Sequence, residues 1–143
     1  MSANSRLTVA VHALAWIGLN ERLGNGIATS EQVATSVNTN PVVIRRLLGE
    51  LRAAGLVKSQ RGSGAGWTVT RELAGITLLD VYEAIDPGPL FGMHRGEPKQ
   101  DCVVGANIQP AMNSVYDRLE QTLRAELAGT TVEDVLRDVL APH

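Results

Sequence analysis

Over the first fifty-five positions the apolar residues recur every three or four, which is the period of a helix and not of a strand. Leu7, Val11, Leu14 and Ala15 mark a first helix from Ser5 to about Arg22, ending near the Gly-Asn-Gly of residues 24–26. Thr29 followed three residues later by Gln32 is a capping-box pattern, and it opens a short second helix that runs through about Ser36. Asn-Thr-Asn-Pro then breaks the chain. Asn40 suits an N-cap and Pro41 the first helical position, so a third helix runs from Pro41 to about Ala54 and stops at Gly55. Two helices joined by a tight polar turn make a helix-turn-helix.

The pattern changes at residue 55. Gly-Leu-Val-Lys-Ser-Gln (55–60) and Trp-Thr-Val-Thr (67–70) are rich in strand formers and flank Arg-Gly-Ser-Gly-Ala-Gly (61–66), which reads as the turn of an antiparallel hairpin. A phosphate-cradling loop of the nucleotide-binding kind would instead run from a strand into a helix, with Gly-Lys-Ser/Thr at its end. Farther on, Ile108, Met112, Val115 and Leu119 repeat at 4, 3, 4 spacing and continue through Leu123 and Leu127 as one apolar seam. Two readings of the seam stand, a dimer interface and an intrachain core. A last helix opens with Thr130 and Glu133 as a capping box and carries Val132, Val135, Leu136, Val139 and Leu140 on one face. Glu133 and Asp134, adjacent and so pointing in different directions, read as surface charges near that helix's N-terminus.

Length and composition bound this picture. At 143 residues the chain is the size of one domain with room for an extended dimerisation element. It is long enough to bury a core without disulfides or a structural metal. Cys102 is the only cysteine, which agrees with a reducing compartment. The absence of an apolar run of about 18 residues and of a charged-then-apolar leader leads to the expectation of a soluble cytoplasmic protein.

The formal net charge is −2, but its distribution is uneven. Residues 41–71 hold Arg45, Arg46, Arg52, Lys58, Arg61 and Arg71 against Glu50 alone, whereas acidic side chains dominate from residue 72 onward. One basic end on a small chain is the footprint of a surface that faces a polyanion. In the third helix Ile44, Leu47, Leu48 and Leu51 form the buried face. Val42, Arg46, Gly49 and Ala53 lie opposite, with Arg45 flanking them. Arginine forks match phosphates or guanine edges, valine can touch a thymine methyl, and small residues allow close approach in a major groove. A hairpin directly after such a helix is a wing, with Arg61 at its base.

The stretch VVIRRLLGELRAAGLVKSQRGSGAGWTVTR resembles the bacterial Rrf-two regulators, the IscR/NsrR/CymR-like group, in which a helix-turn-helix of this spacing is followed by LxxAGLVxSxRGxxGGxxL. The chain departs at Ala65 and Trp67, where glycine and tyrosine are usual. ITLLDVYEAID (76–86) is similar to the family's next helix, and CVVGANIQPAMNSVYDRLEQTLRAEL (102–127) to its long dimer helix, so the resemblance covers nearly the whole chain. It implies a mainly α fold with a small β-hairpin wing, a winged helix-turn-helix plus a long C-terminal dimerisation helix. On this reading residues 1–86 form the DNA-binding domain, 87–102 a regulatory loop and 103–143 the dimerisation helices.

The function implied is that of a homodimeric repressor on a palindromic double-stranded operator. Its DNA-facing residues would be Thr29, Ser30, Thr39, Asn40, Pro41, Val42, Val43, Arg45, Arg46 and Gly49 of the helix-turn-helix, with Lys58, Arg61, Gly62, Ser63 and Gly64 of the wing. Ile108, Met112, Val115, Leu119 and Leu123 would form the dimer interface.

Asp86 to Cys102 has no periodicity, three prolines and three glycines, and a loop this long inside a compact domain is usually functional or disordered. Cluster-binding members of the family hold an iron–sulfur cluster there with three cysteines. Here only Cys102 matches, and Gly105 stands where one sub-group has a histidine, so no cofactor is expected. For Cys102 two readings stand. In one it is a small buried hydrophobe whose thiol pKa is raised by neighbouring Asp101. In the other it is a sensor of a redox signal, alone or with His12 as a mixed ligand set. His94 reads as solvated surface and His12 as packed or half-exposed. Three scattered histidines and one cysteine assemble no catalytic or metal-ligand spacing, so an enzyme is not expected. A small-molecule signal is a further expectation, and the rival function is a winged-helix protein-binding adaptor without sequence-specific DNA binding.

Overall fold

The computed structural model describes residues 5–62 and 65–143. Apolar residues circle the first helix, α1 (Arg6–Arg22), instead of forming one stripe. Ala10, Ala13, Leu14 and Ile17 have no exposed surface, and Val11 and Ala15 are also buried. A helix that is apolar on more than one side must be covered on more than one side. The sequence pattern marked only one face of it, because alanine and glycine positions carry little weight in a periodicity count.

The covering elements are α2 (Ser30–Val37), α3 (Pro41–Ala53), α4 (Leu78–Ile85), the second wing strand and the last helix. Thr29 caps α2 through a reciprocal box with Gln32. The Asn40 side chain accepts from Val42 N at 2.9 Å at the start of α3, with Pro41 in the first turn. Ile44, Leu47, Leu48 and Leu51 of α3 are buried, as their spacing requires. Gly55 follows with φ +80°, a conformation that favours glycine and ends the helix. Strands β1 (Val57–Gln60) and β2 (Gly66–Val69) pair antiparallel, Val57 opposite Val69 and Gln60 opposite Gly66.

Helix α5 (Val103–Ala128) is long and has no buried residue. Packing separates residues 88–126 as one compact unit from a second made of residues 1–87 and 127–143. Within the smaller unit the irregular segment folds back on α5: Phe91 stacks on Tyr116 with ring centroids 4.9 Å apart, and Gln109 Nε2 lies 3.4 Å from His94 Nδ1. Gly105 is required there, since a Cβ would lie 2.2 Å from the Lys99 carbonyl oxygen. The final helix, α6 (Val132–Leu140), belongs by packing to the larger unit, a different grouping from the 103–143 segment drawn from the sequence. Leu78 N donates to Thr130 O at 2.8 Å and Val132 N to Ile76 O at 2.9 Å, and Arg22 of α1 pairs with Glu133.

The cap of α6 lies one residue later than the sequence suggested. Thr131, not Thr130, is the N-cap, and its box partner is Asp134, not Glu133. Backbone N–H bonding stabilises the charged form of a capping carboxylate. The same arrangement at the start of α4 holds Asp80 below its ordinary pKa, chiefly through the Thr77 backbone N–H. Thr131→Ala is expected to lower stability by about 1 kcal/mol in chemical denaturation. Because the folded-state pKa of Asp80 is depressed, its contribution is complete above the unfolded carboxylate value near ~4 and is lost as pH falls through the lower folded value. Asp80→Asn should therefore flatten the acid limb of a stability-against-pH curve.

Candidate nucleic-acid interface

Three pieces meet on one side of the larger unit: the N-terminus of α2, the outward face of α3 and the wing. A notch of about 380 Å³ between them is lined by Thr29, Glu31, Arg45, Gly49, Arg52 and Trp67, among others. Val42 is 52% exposed, Arg46 is exposed, and nothing lies within 4 Å of a Cβ built on Gly49. The outward face of α3 is thus open at the positions its periodicity assigned. Thr39, Pro41 and Val43 are half-buried at the turn, and the Asn40 side chain is spent on the cap. Lys58 and Arg61 are exposed on the wing. Gly62 turns it with φ +85°, and Ser63 and Gly64 lie outside the described residues.

The wing is held by contacts that the sequence pattern did not reveal. Trp67 Nε1 donates to Ser30 Oγ at 2.9 Å, and the Arg52 guanidinium lies 5.7 Å from the Trp67 ring centre while Nη1 donates to Ser59 Oγ at 3.2 Å. Trp67 also exchanges two backbone hydrogen bonds with Ala28, and a Cβ on Gly66 would lie 2.5 Å from the Ala28 carbonyl oxygen. Ser30, expected on the DNA-facing surface, is 6% exposed, with its hydroxyl committed to the indole. It supports the wing by accepting from the indole. The departure at Trp67 was the available signal; how far an indole reaches is a property of the fold. One exposed ion pair crosses the notch, Arg45 Nη2 to Glu31 Oε1 at 2.5 Å.

A family model described as "Rrf2: Iron-dependent Transcriptional regulator" matches residues 3–138. The chain belongs to the Rrf2 family. It is 37% identical over 134 residues to YwnA, a provisionally named HTH-type transcriptional regulator of Bacillus subtilis, covering 93% of this chain and 96% of that one. It is 25% identical over 142 residues to the HTH-type transcriptional regulator IscR of Cereibacter sphaeroides, covering 99% and 91%. A crystal structure described as that of a provisional DNA-binding protein superposes with a TM-score of 0.73 at 35% identity, covering 92% of this chain and 99% of that one. Rrf2 proteins are winged-helix transcriptional regulators and not enzymes, and the family match takes in the helix-turn-helix, the wing and the long helix alike.

Iron, which the family description names, needs a donor set. The Rrf2 chain has one cysteine, and among the described residues no three His, Cys, Asp or Glu side chains gather as a metal-holding group. Close approach of Lys99 to Gly105 leaves no room for a ligating side chain at that position. The described residues of one chain do not fit a three-cysteine cluster. His12 is half-buried, with Nε2 2.8 Å from Ser36 Oγ.

Cys102 is exposed, which corrects the buried reading. Its thiol is drawn down from the ordinary cysteine value by the Gly105 backbone N–H and, less, by that of Val104. The expected rise from Asp101 is absent because backbone N–H groups at the start of α5 favour the thiolate, while Asp101 lies 3.8 Å from the Lys99 ammonium. Among the described residues no helix is long and apolar enough to cross a membrane.

Trp67→Phe keeps the ring and removes the donor to Ser30. Loss of that hydrogen bond should cost about 1 kcal/mol in denaturant unfolding. Hydrogen exchange should show faster opening of Ala28 and of β2, with α3 unaffected.

Proposed function

We propose that this Rrf2 protein is a repressor that binds a palindromic duplex as a homodimer, with α3 in the major groove and the wing on the backbone or in the minor groove. The observation that carries the reading is the outward face of α3. Two arginines, an exposed valine and an open glycine stand on a helix whose opposite face is fully buried, beside a wing bearing Lys58 and Arg61. Base edges in a major groove present acceptors for an arginine fork and methyls for a valine, and a residue without a Cβ lets the helix approach closely. The wing cations suit phosphates, which position a protein without specifying sequence.

Support for the homodimer comes from two apolar surfaces that one chain leaves uncovered. Ile108, Met112, Val115 and Leu123 of α5 are half-exposed and Leu119 is 46% exposed. On the larger unit an apolar groove of about 550 Å³ runs between α1, α4 and α6, lined by Leu7, Val11, Trp16, Leu19 and Val139. A second copy brings an equal set of apolar surfaces, and closed two-fold pairs are the commonest soluble oligomers. Leu119→Glu with Leu123→Glu should halve the mass measured in analytical ultracentrifugation, while the circular dichroism of the helices persists.

Binding is tested by titrating a labelled duplex, footprinted upstream of the protein's own gene, over a range of salt. Phosphate neutralisation makes log K fall linearly with log salt, and a protein-binding adaptor shows no such slope. Arg46→Ala or Arg45→Ala should weaken the specific duplex by about 1–3 kcal/mol, and Arg61→Ala should weaken all duplexes and reduce the slope by about one unit. Gly49→Ala separates fold from function: replacing a helical glycine with open space around it should raise stability by roughly 0.5–1 kcal/mol and still weaken the specific duplex.

A further inference from the structure

We propose that Glu31 is a specificity-determining residue that acts through Arg45, setting the ratio of specific to random DNA binding. The inference rests on the DNA-binding reading and deepens it. A carboxylate on a surface that faces phosphates is repelled by every duplex, whatever its sequence. Glu31 stands on that surface, with its side chain 61% exposed, at the N-terminal end of α2 and on the rim of the notch that also contains Arg45, Gly49 and Arg52.

The capping box of α2 is made by Thr29 and Gln32, and Glu31 adds a carboxylate to the first turn at the positive end of the helix, a role that does not require Arg45. An ion pair this exposed adds little to stability. Its own backbone N–H, and then Arg45, hold its carboxyl below the ordinary glutamate value, so it is charged at neutral pH.

The contact geometry shows what the pair can do. Glu31 Oε1 takes one N–H of Arg45, from Nη2. A guanidinium has five donors in a planar fork, so Nε, Nη1 and the second Nη2 hydrogen remain for another partner. On a random duplex Arg45 is already neutralised and adds little phosphate affinity, while Glu31 repels the backbone. Where a guanine edge lies opposite, its O6 and N7 accept from the free donors and the carboxylate keeps the guanidinium plane in place. Specificity gained by penalising the wrong partner needs such a repulsive element. The other cations of α3 and the wing do not duplicate this arrangement. Arg52 lies against Trp67 and Ser59, and among the described residues Arg46, Lys58 and Arg61 have no acidic side chain within ion-pair distance.

The experiment compares the parent, Glu31→Gln, Arg45→Ala and the double variant, each titrated against the footprinted duplex and a length-matched random duplex across a salt series. Glu31→Gln should tighten the random duplex by about 3–10-fold and steepen its salt slope by about one unit, because one cation becomes available to phosphate. The specific duplex should gain less, so the specificity ratio falls by at least about threefold. In the Arg45→Ala background the same change should leave the ratio unaltered. A ratio and slope unchanged in Glu31→Gln overturn the assignment, and an equal fall in the Arg45→Ala background overturns action through Arg45. A parent that binds both duplexes without salt dependence overturns the DNA-binding reading itself, which none of the other outcomes does.

Discussion

Burial of α1 is the constraint on which the larger unit depends. A helix with apolar residues on more than one side needs cover on each of those sides, so several neighbouring elements contribute a cover. The helix-turn-helix, α4, the wing and α6 are the result. Polar groups at the rim then orient the covers. Arg6 pairs with Glu50 of α3 and donates to the Ile85 carbonyl at the end of α4, and Glu21 accepts from Val69 N of the wing at 3.0 Å. The buried Asn20 side chain donates to Gly26 O at 2.8 Å and fixes the turn that leads to α2. The outward face of α3 therefore has its orientation set from behind.

The wing needs a separate support, because a two-stranded hairpin alone is marginal in water. Backbone bonding of Trp67 to Ala28 adds a third extended segment, and the indole bond to Ser30 ties that segment to the first turn of α2. Gly66 is the residue that permits this approach. The tryptophan at this position thus couples wing and helix-turn-helix into one surface, and the stacked Arg52 extends the coupling to α3.

Much of this was legible in the sequence because the signals were local. The helix-turn-helix boundaries agree with the structure to within about a residue: Asn40 and Pro41 set the start of α3, Gly55 set its end, and a three-glycine turn marked the hairpin. What failed to show was whatever depended on two competing local choices or on contacts between distant residues. Thr130 and Thr131 both sit three residues before an acid, and the hydrogen bond of Val132 N to Ile76 O helps select the second as the cap. The exposure of Cys102 and the fall of its pKa follow from where α5 begins, which the neighbouring Asp101 could not indicate. Ser30 looked like a polar residue at a helix start, and its burial follows from the Trp67 ring thirty-seven positions away.

The charge distribution takes on a different meaning once the side chains are placed. A chain of net charge −2 that binds a polyanion must rely on a local field, since exposed charges are screened over about 10 Å at ordinary salt. Yet half of the six basic residues between 41 and 71 are already engaged, Arg45 by Glu31, Arg52 by Trp67 and Ser59, and Arg71 by Asp80. A cation held in one geometry gives up part of its affinity for phosphates anywhere and gains a defined direction toward a particular acceptor. Under the proposed function the α3 arginines, Arg45 held by Glu31 and Arg46 open, would serve recognition, and Lys58 and Arg61 of the wing would serve attraction. A surface made of both kinds would attract duplexes through the second and discriminate among them through the first, so on the proposed reading selectivity depends on the carboxylate that holds Arg45 as well as on the arginines themselves.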